Sequence, residues 1–271
     1  IPWATPEEVG MSSERLDRIN TTIQRHIDAG DIQGAVTAVA RRGKLVHFEA
    51  HGLMDEANNR PMQEDSIFIM MSSSKPVLGV AAMMMIEEGL IRPEDPVSKY
   101  LPEFADMQVA VLKEPVDENI SPRGVDRDNL PEHRLVPAHR EITIHDLLTH
   151  TSGLGTGSLG STLQTPAPFP LPADRTLASE MARYASGALD FQPGDRWAYS
   201  GLVGLDVVAR IVEIVSGQPY DEFIKDRIFD PLDMNNTWFN VPEEYRDRRV
   251  VIRDRDMSPF FDNTTNYFSA S

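Results

Sequence analysis

Residues 77–88 constrain the fold most, because they read as a helix with no polar face through its middle. Positions 80–86 run Val, Ala, Ala, Met, Met, Met, Ile. Such a segment is apolar nearly all round and is expected to be buried on most sides. The chain must therefore supply walls for it. With 271 residues, 41% of them hydrophobic, it has the material for an ordinary core, and the length suits either one domain or two lobes. The helix opens at Met71-Ser72-Ser73-Ser74-Lys75-Pro76, with serines at its mouth, a proline in its first turn and Gly89 closing it.

The remaining elements can be read around that helix. Residues 12–30 form an amphipathic helix, with Leu16, Ile19, Ile23 and Ile27 at helical spacing, Ser12 or Ser13 as cap and Gly30 as stop. Residues 35–50 form a hairpin that turns at Arg41-Arg42-Gly43-Lys44, and Ser66-Ile67-Phe68-Ile69-Met70 is a short strand-like piece. Residues 102–140, rich in proline and charge, read as a long surface excursion. Residues 153–172, rich in Gly, Ser and Pro, read as a loop of the kind that often rims a site. Helices are expected over 141–150, 176–185, 202–215 and 220–229. A hairpin followed by helices implies an α/β lobe interrupted by a helical lobe.

Composition narrows the chemistry. The chain has 42 Asp and Glu against 26 Lys and Arg, a formal charge of -16. No basic excess is left to neutralise phosphates, so nucleic acid and anionic membranes are not expected partners. The absence of cysteine excludes disulfides, thiolate catalysis and Cys-ligated zinc. No apolar run approaches the roughly 20 residues of a membrane span. His145 and His150 are five apart rather than four, so the zincin pattern is absent. No Gly-x-Ser-x-Gly elbow or P-loop occurs. Gly155-Thr156-Gly157-Ser158-Leu159-Gly160 spells a dinucleotide fingerprint, but it follows no strand and opens no apolar helix, so it reads as loop. The expectation is a soluble protein without metal or cofactor, the cytoplasm ranking ahead of the periplasm or secretion. The chain opens Ile1-Pro2-Trp3 with no leader-like segment.

Three residues carry candidate chemistry. Ser72 and Lys75 stand three apart at a helix start, which places a hydroxyl beside an amine. A serine hydroxyl needs a base, and burial favours the neutral amine that can act as one. The bare spacing arises about once by chance in a chain this long, and a capping serine beside a surface lysine is the plainer alternative. Tyr199, after the Pro193-Gly194 turn and before a helix, could aim its phenol into a cleft and shuttle protons. A tyrosine packed in the core is the alternative there.

Taken together the motifs resemble the serine beta-lactamase-like and penicillin-binding-protein superfamily, especially class C beta-lactamases, DD-peptidases and family VIII carboxylesterases. The matching stretches, in the family's order, are Met71-Ser72-Ser73-Ser74-Lys75-Pro76-Val77, Asp95-Pro96-Val97-Ser98-Lys99-Tyr100-Leu101-Pro102, residues 142–154 with Leu147-Leu148-Thr149-His150-Thr151-Ser152-Gly153, Pro193-Gly194-Asp195-Arg196-Trp197-Ala198-Tyr199-Ser200, and Ile228-Phe229-Asp230-Pro231-Leu232-Asp233-Met234. The resemblance implies an α+β, beta-lactamase/transpeptidase-like fold, an antiparallel sheet lobe plus a helical lobe. Residues 1–70 would begin the α/β lobe, 71–240 would form the mainly helical lobe, and 241–271 would return toward the sheet. It implies Ser72 as acylated nucleophile, Lys75 as general base, Tyr199 as proton relay, and the Ser72 backbone N–H as half of an oxyanion hole. His150 reads as structural, holding backbone near the site.

Two departures from the family pattern shape the functional expectation. Its second motif is often Tyr-x-Asn, the Asn bonding the amide of a lactam or peptide, whereas here Gly201 follows Tyr199-Ser200. That favours cleavage of small carboxylic esters through an acyl-enzyme over the alternatives, a beta-lactamase, DD-peptidase or D-amino-acid amidase, or a non-catalytic binding protein of the same fold. The late-strand third motif is not found after Tyr199. The expectation is therefore that the C-terminal sheet strands and the second oxyanion donor lie outside this chain, on a second polypeptide or C-terminal fragment. Phe169, Trp197 and Gly201 are the candidate substrate-pocket residues.

Overall fold

The structure, a computed structural model, describes residues 1–114, 126–168, 172 and 174–252. It divides into two compact units, one of residues 1–70 with the described residues from 240 on, the other of residues 71–239.

The first unit is built on a hairpin. Helix α1 (Ser13–Asp28) precedes it, and the Ser12 side chain caps α1 by accepting from Arg15 N–H. Strands β1 (Gly34–Arg41) and β2 (Lys44–Asp55) pair antiparallel from Gly34↔Gly52 to Arg41↔Lys44. Arg42 and Gly43 both have positive φ, 54° and 71°. That geometry gives a two-residue turn whose twist matches the strands. The two-residue strand β3 (Arg60–Pro61) adds to β2, giving the order β1-β2-β3. Leu16 of α1 packs with Val9 and Val46, while Met54, Met62 and Val250 form a second small cluster. The expected strand-like piece at 66–70 forms only an isolated bridge, Ile67 N–H bonding Arg248 C=O at 2.8 Å and Ile67 C=O accepting from Val250 N–H at 3.0 Å.

The second unit holds the main core. Helix α2 (Lys75–Glu87) buries Leu78, Ala81, Ala82 and Met85, one face at helical spacing, and α6 (Val203–Ser216) buries Val207, Val208, Ile211 and Val212. The expectation that α2 is enclosed on most sides is met on one face only. Val80 and Met83 stay about half exposed, at 50% and 51%. Sequence apolarity marks both faces as coverable, but only one has cover among the described residues.

The expected excursion at 102–140 contains a hairpin, β4 (Gln108–Leu112) with β5 (His133–Pro137), registered Gln108↔Pro137 to Leu112↔His133. Strand β4 also bonds backbone on its other side, Ala110 N–H to Leu189 C=O at 2.9 Å and Leu189 N–H to Gln108 C=O at 2.7 Å. Strand β5 is largely exposed, so it has no apolar alternation to read. Its strand character comes from pairing.

Short helices complete the unit: α3 (Ile144–Leu148), the single turn α4 (Leu159–Thr162), α5 (Leu177–Ala185) and α7 (Tyr220–Ile224), which runs into a π-helical turn (Lys225–Phe229). Helices α3 and α5 open with capping boxes at Thr143 and Thr176, and Gly217 at φ 71° ends α6.

Asp146, in the first turn of α3, is a buried carboxylate. It accepts from Arg140 Nη1 and Nη2 at 2.5 and 2.9 Å, from Thr143 N–H and Oγ1 at 3.0 and 2.8 Å, and from Thr151 Oγ1 at 3.1 Å. These donors outweigh the cost of burial and lower its pKa from 3.8 to about 2. The folded value lies below the unfolded one. The stabilisation is therefore full above the unfolded pKa and is lost as pH falls through the folded one, about 2 kcal/mol in all. Denaturation midpoints measured down a pH series are expected to show this acid-dependent loss in the wild type. Asp146→Asn should be destabilised at neutral pH and should lack that part of the pH dependence.

Candidate active site

The site residues lie at the mouth of α2. Residues Met71–Ser74 form a turn of 3-10 helix that leads directly into α2. Ser72 therefore sits in the tight turn before the α-helix, and Lys75 is the first α-helical residue. Opening turns leave N–H groups without intrahelical acceptors. Met71, just before Ser72, adopts φ 46°, a left-handed conformation uncommon for a long side chain. Strain of this kind costs on the order of 1–3 kcal/mol and persists where surrounding structure enforces it.

Lys75 Nζ donates to Ser72 Oγ at 3.1 Å and the Tyr199 hydroxyl donates to the same oxygen at 2.8 Å. The Lys75 nitrogen also stands 5.2 Å from the centroid of the Tyr199 ring. Three residues spanning 127 positions of sequence thus meet at one oxygen. Hydrogen bonding with Lys75 and with Ser72, in that order of size, lowers the Tyr199 phenol below its ordinary value. Proton transfer along Ser72–Lys75 or Ser72–Tyr199 needs no rearrangement of heavy atoms, since each contact reverses when the base is unprotonated.

Tyr199 is held by paired irregular backbone rather than by a helix or strand. Residues 149–153 and 190–200 bond repeatedly: Asp190 N–H to Gly153 C=O at 2.8 Å, Gly194 N–H to Thr151 C=O at 2.9 Å, and Ala198 N–H to His150 C=O at 3.0 Å. Ser200 N–H donates to His150 Nδ1 at 3.2 Å, and Gly204 N–H, in the first turn of α6, donates to Ser200 Oγ at 3.0 Å. The imidazole of His150 lies against the phenol, ring centroids 4.9 Å apart.

The neighbouring glycine-rich loop is latched by Asp190, a carboxylate that sequence reading did not single out. One oxygen accepts from Thr156 Oγ1, Thr156 N–H, Ser158 N–H and Ser161 Oγ, at 2.5, 3.2, 3.4 and 2.6 Å, and the other from Ser161 N–H at 2.9 Å. Gly160 rests directly on this segment. A methyl group there would lie 2.5 Å from the carbonyl oxygens of both Ala188 and Leu189. A lone Asp between Leu189 and Phe191 gives no pattern from which this role could have been read.

Of the pocket candidates, Trp197 is 65% exposed with its ring 6.2 Å from that of His150. Gly201 lies two residues past Tyr199, where an added Cβ would meet only Tyr199 Cε1, at 3.9 Å. Phe169 lies outside the described residues. Among the described residues no group of three His, Asp or Glu is placed to hold a metal, and no helix is long and apolar enough to cross a membrane.

The beta-lactamase family profile matches residues 19–266. Esterase EstB of Burkholderia gladioli is 32% identical over 235 residues, which are 84% of this chain and 53% of that protein. Lovastatin esterase of Penicillium rubens is 32% identical over 246 residues, 88% of this chain and 57% of that one. Among solved structures, EstCE1, a hydrolase with promiscuous acyltransferase activity, superposes with a TM-score of 0.64 at 26% identity, covering 87% of this chain and 55% of its own. The chain thus spans about half the length of the curated relatives it matches.

Proposed function

The chain belongs to the beta-lactamase family and shares its beta-lactamase/transpeptidase-like fold, and from that premise we propose that it carries the nucleophile and proton-transfer groups of a serine hydrolase acting on small carboxylic esters. The observation that supports this most is the convergence of Lys75 Nζ and the Tyr199 hydroxyl on Ser72 Oγ. Two relatives named as esterases, each 32% identical, support the ester class.

In this reading Ser72 Oγ bonds to the ester carbonyl carbon while its proton passes to the Lys75 amine. The carbonyl oxygen becomes an oxyanion toward which the Ser72 backbone N–H points its dipole. Collapse breaks the bond to the alkoxy group, which takes a proton delivered through Tyr199, and leaves Ser72 acylated. Water then adds to the acyl carbon and gives up a proton along the same path. The acid departs and the Ser72 hydroxyl is restored. No redox step or cofactor enters.

The test compares p-nitrophenyl butyrate with a chromogenic cephalosporin on the full-length protein, together with fluorophosphonate labelling. Butyrate turnover with label on Ser72 is expected. Strong cephalosporin turnover without ester cleavage would replace the ester reading by a beta-lactamase one. No label on Ser72 would favour a silent binding protein.

Gly201 provides a second check. Its surroundings leave room for a side chain, so Gly201→Asn is expected to change stability by less than about 0.5 kcal/mol. If the missing amide is what disfavours amide-type substrates, cephalosporin turnover rises in this variant relative to butyrate turnover. An unchanged ratio would remove Gly201 from the argument.

A further inference from the structure

We propose that His150 is a positioning residue which holds Tyr199 on Ser72 only while its imidazole is neutral, so that protonation of His150 switches the site off on the acid side. The proposal rests on the reading of Ser72, Lys75 and Tyr199 given above, and it adds a residue that touches none of the reacting atoms.

The argument begins with a hydrogen bond whose direction is fixed. A backbone N–H can only donate, and Ser200 N–H points at His150 Nδ1 at 3.2 Å. Nδ1 must therefore carry a lone pair, which puts the proton of the neutral ring on Nε2. A second proton, taken from solvent, would form an N–H bond at Nδ1. Two donors would then face one another, and the Ser200 amide would lose its acceptor.

Ser200 directly follows Tyr199, and the His150 ring lies against the Tyr199 ring at 4.9 Å. The imidazole thus fixes the phenol by its backbone on one side and by its ring face on the other. The His150 backbone joins the same clamp, its carbonyl accepting from Ala198 N–H at 3.0 Å. His150 itself sits at φ 60°, a left-handed conformation in which histidine and asparagine are tolerated better than most residues.

The charged and titratable groups around the ring favour the neutral form. Lys75 faces it from α2 and Tyr199 from the segment before α6, while Asp146, on its own side of the chain, is occupied by Arg140, Thr143 and Thr151. Burial, and then the Lys75 charge, push the imidazole below its usual range. The neutral ring is thus the resting state, and the switch is thrown only in acid.

The experiment follows the rate of Ser72 labelling by a fluorophosphonate, and the kcat for p-nitrophenyl butyrate, across pH in wild type, His150→Ala and His150→Asn. Asparagine suits the left-handed backbone and offers a carbonyl acceptor that does not titrate. His150→Ala is expected to lower both rates about tenfold near neutrality, the loss of one hydrogen bond's worth of positioning, with KM little changed. His150→Asn should recover most of that loss, and its acid limb should move to lower pH than in wild type.

NMR titration of the wild type supplies a readout that needs no turnover. The His150 imidazole signal, the Ser200 amide and the Tyr199 ring signals should move together with one midpoint, matching the acid limb. The proposal is overturned if His150→Asn keeps the wild-type acid limb, or if the imidazole titrates while the Ser200 and Tyr199 signals stay put. Failure of Ser72 to label at any pH is a different result. It removes the hydrolase reading, and the NMR titration alone then decides whether His150 governs the tyrosine.

Discussion

Ser72→Ala is expected to reduce ester turnover by at least about 10⁴-fold, the scale on which removing a nucleophile that works with its base collapses the rate. The loss should appear in kcat, because the hydroxyl bonds to substrate only as the acyl-enzyme forms. Fluorophosphonate labelling should vanish with it. Ser72 is exposed and its hydroxyl is contacted only by the Lys75 and Tyr199 side chains among the described residues. The variant should therefore stay folded, its stability changed by about 0.5 kcal/mol or less, and unchanged unfolding curves would separate lost chemistry from lost structure. Persistence of wild-type butyrate hydrolysis in a folded Ser72→Ala protein would mean that another group does the work.

The second large effect is expected at Lys75. Lys75→Ala should lower kcat by about 10³-fold, within the range for removal of a general base. Lys75→Arg should rescue little, because a guanidinium stays protonated and cannot accept the Ser72 proton. The same variant has a spectroscopic consequence. The hydrogen bond from Lys75 is the largest cause holding the Tyr199 phenol below its ordinary pKa. Without it the folded-state value rises, and phenolate appears only at higher pH. An ultraviolet titration of phenolate in wild type and Lys75→Ala, with Tyr199→Phe to assign the signal, measures the shift. If the Tyr199 transition does not move, the two side chains are not coupled and the proposed relay loses its link.

The meeting of Ser72 and Lys75 was legible in the sequence, for a physical reason. A serine and a lysine three residues apart at a helix mouth are brought together by local geometry, and α2 with its 3-10 entry does that whatever the rest of the chain does. The helix cap at Ser12 is similarly local. Tyr199 is different, since its approach to Ser72 depends on the backbone clamp between residues 149–153 and 190–200. Only the resemblance of the surrounding phrases placed it there in advance. The Asp190 latch was illegible because its donors come from residues about 30 positions upstream, chosen by the fold rather than by spacing. The β4–β5 hairpin was missed because one strand is mostly exposed and its partner is only five residues long. The burial of α2 was overestimated because hydrophobicity reports what a surface can bury, and says nothing of how many neighbours are at hand.

The seating of Gly160 on the Ala188 and Leu189 carbonyls, with Asp190 tying down Thr156 and Ser161, bears on any attempt to engineer this glycine-rich segment. Directed-evolution libraries usually randomise glycine-rich stretches first, expecting them to be permissive. Here an alanine at 160 would press on two backbone carbonyls and an alanine at 190 would remove the bonds to Thr156, Ser158 and Ser161, so changes at these two positions are expected to cost stability before they alter selectivity. The candidate pocket positions Trp197 and Gly201 meet no such obstacle, the first being exposed and the second having room for a side chain.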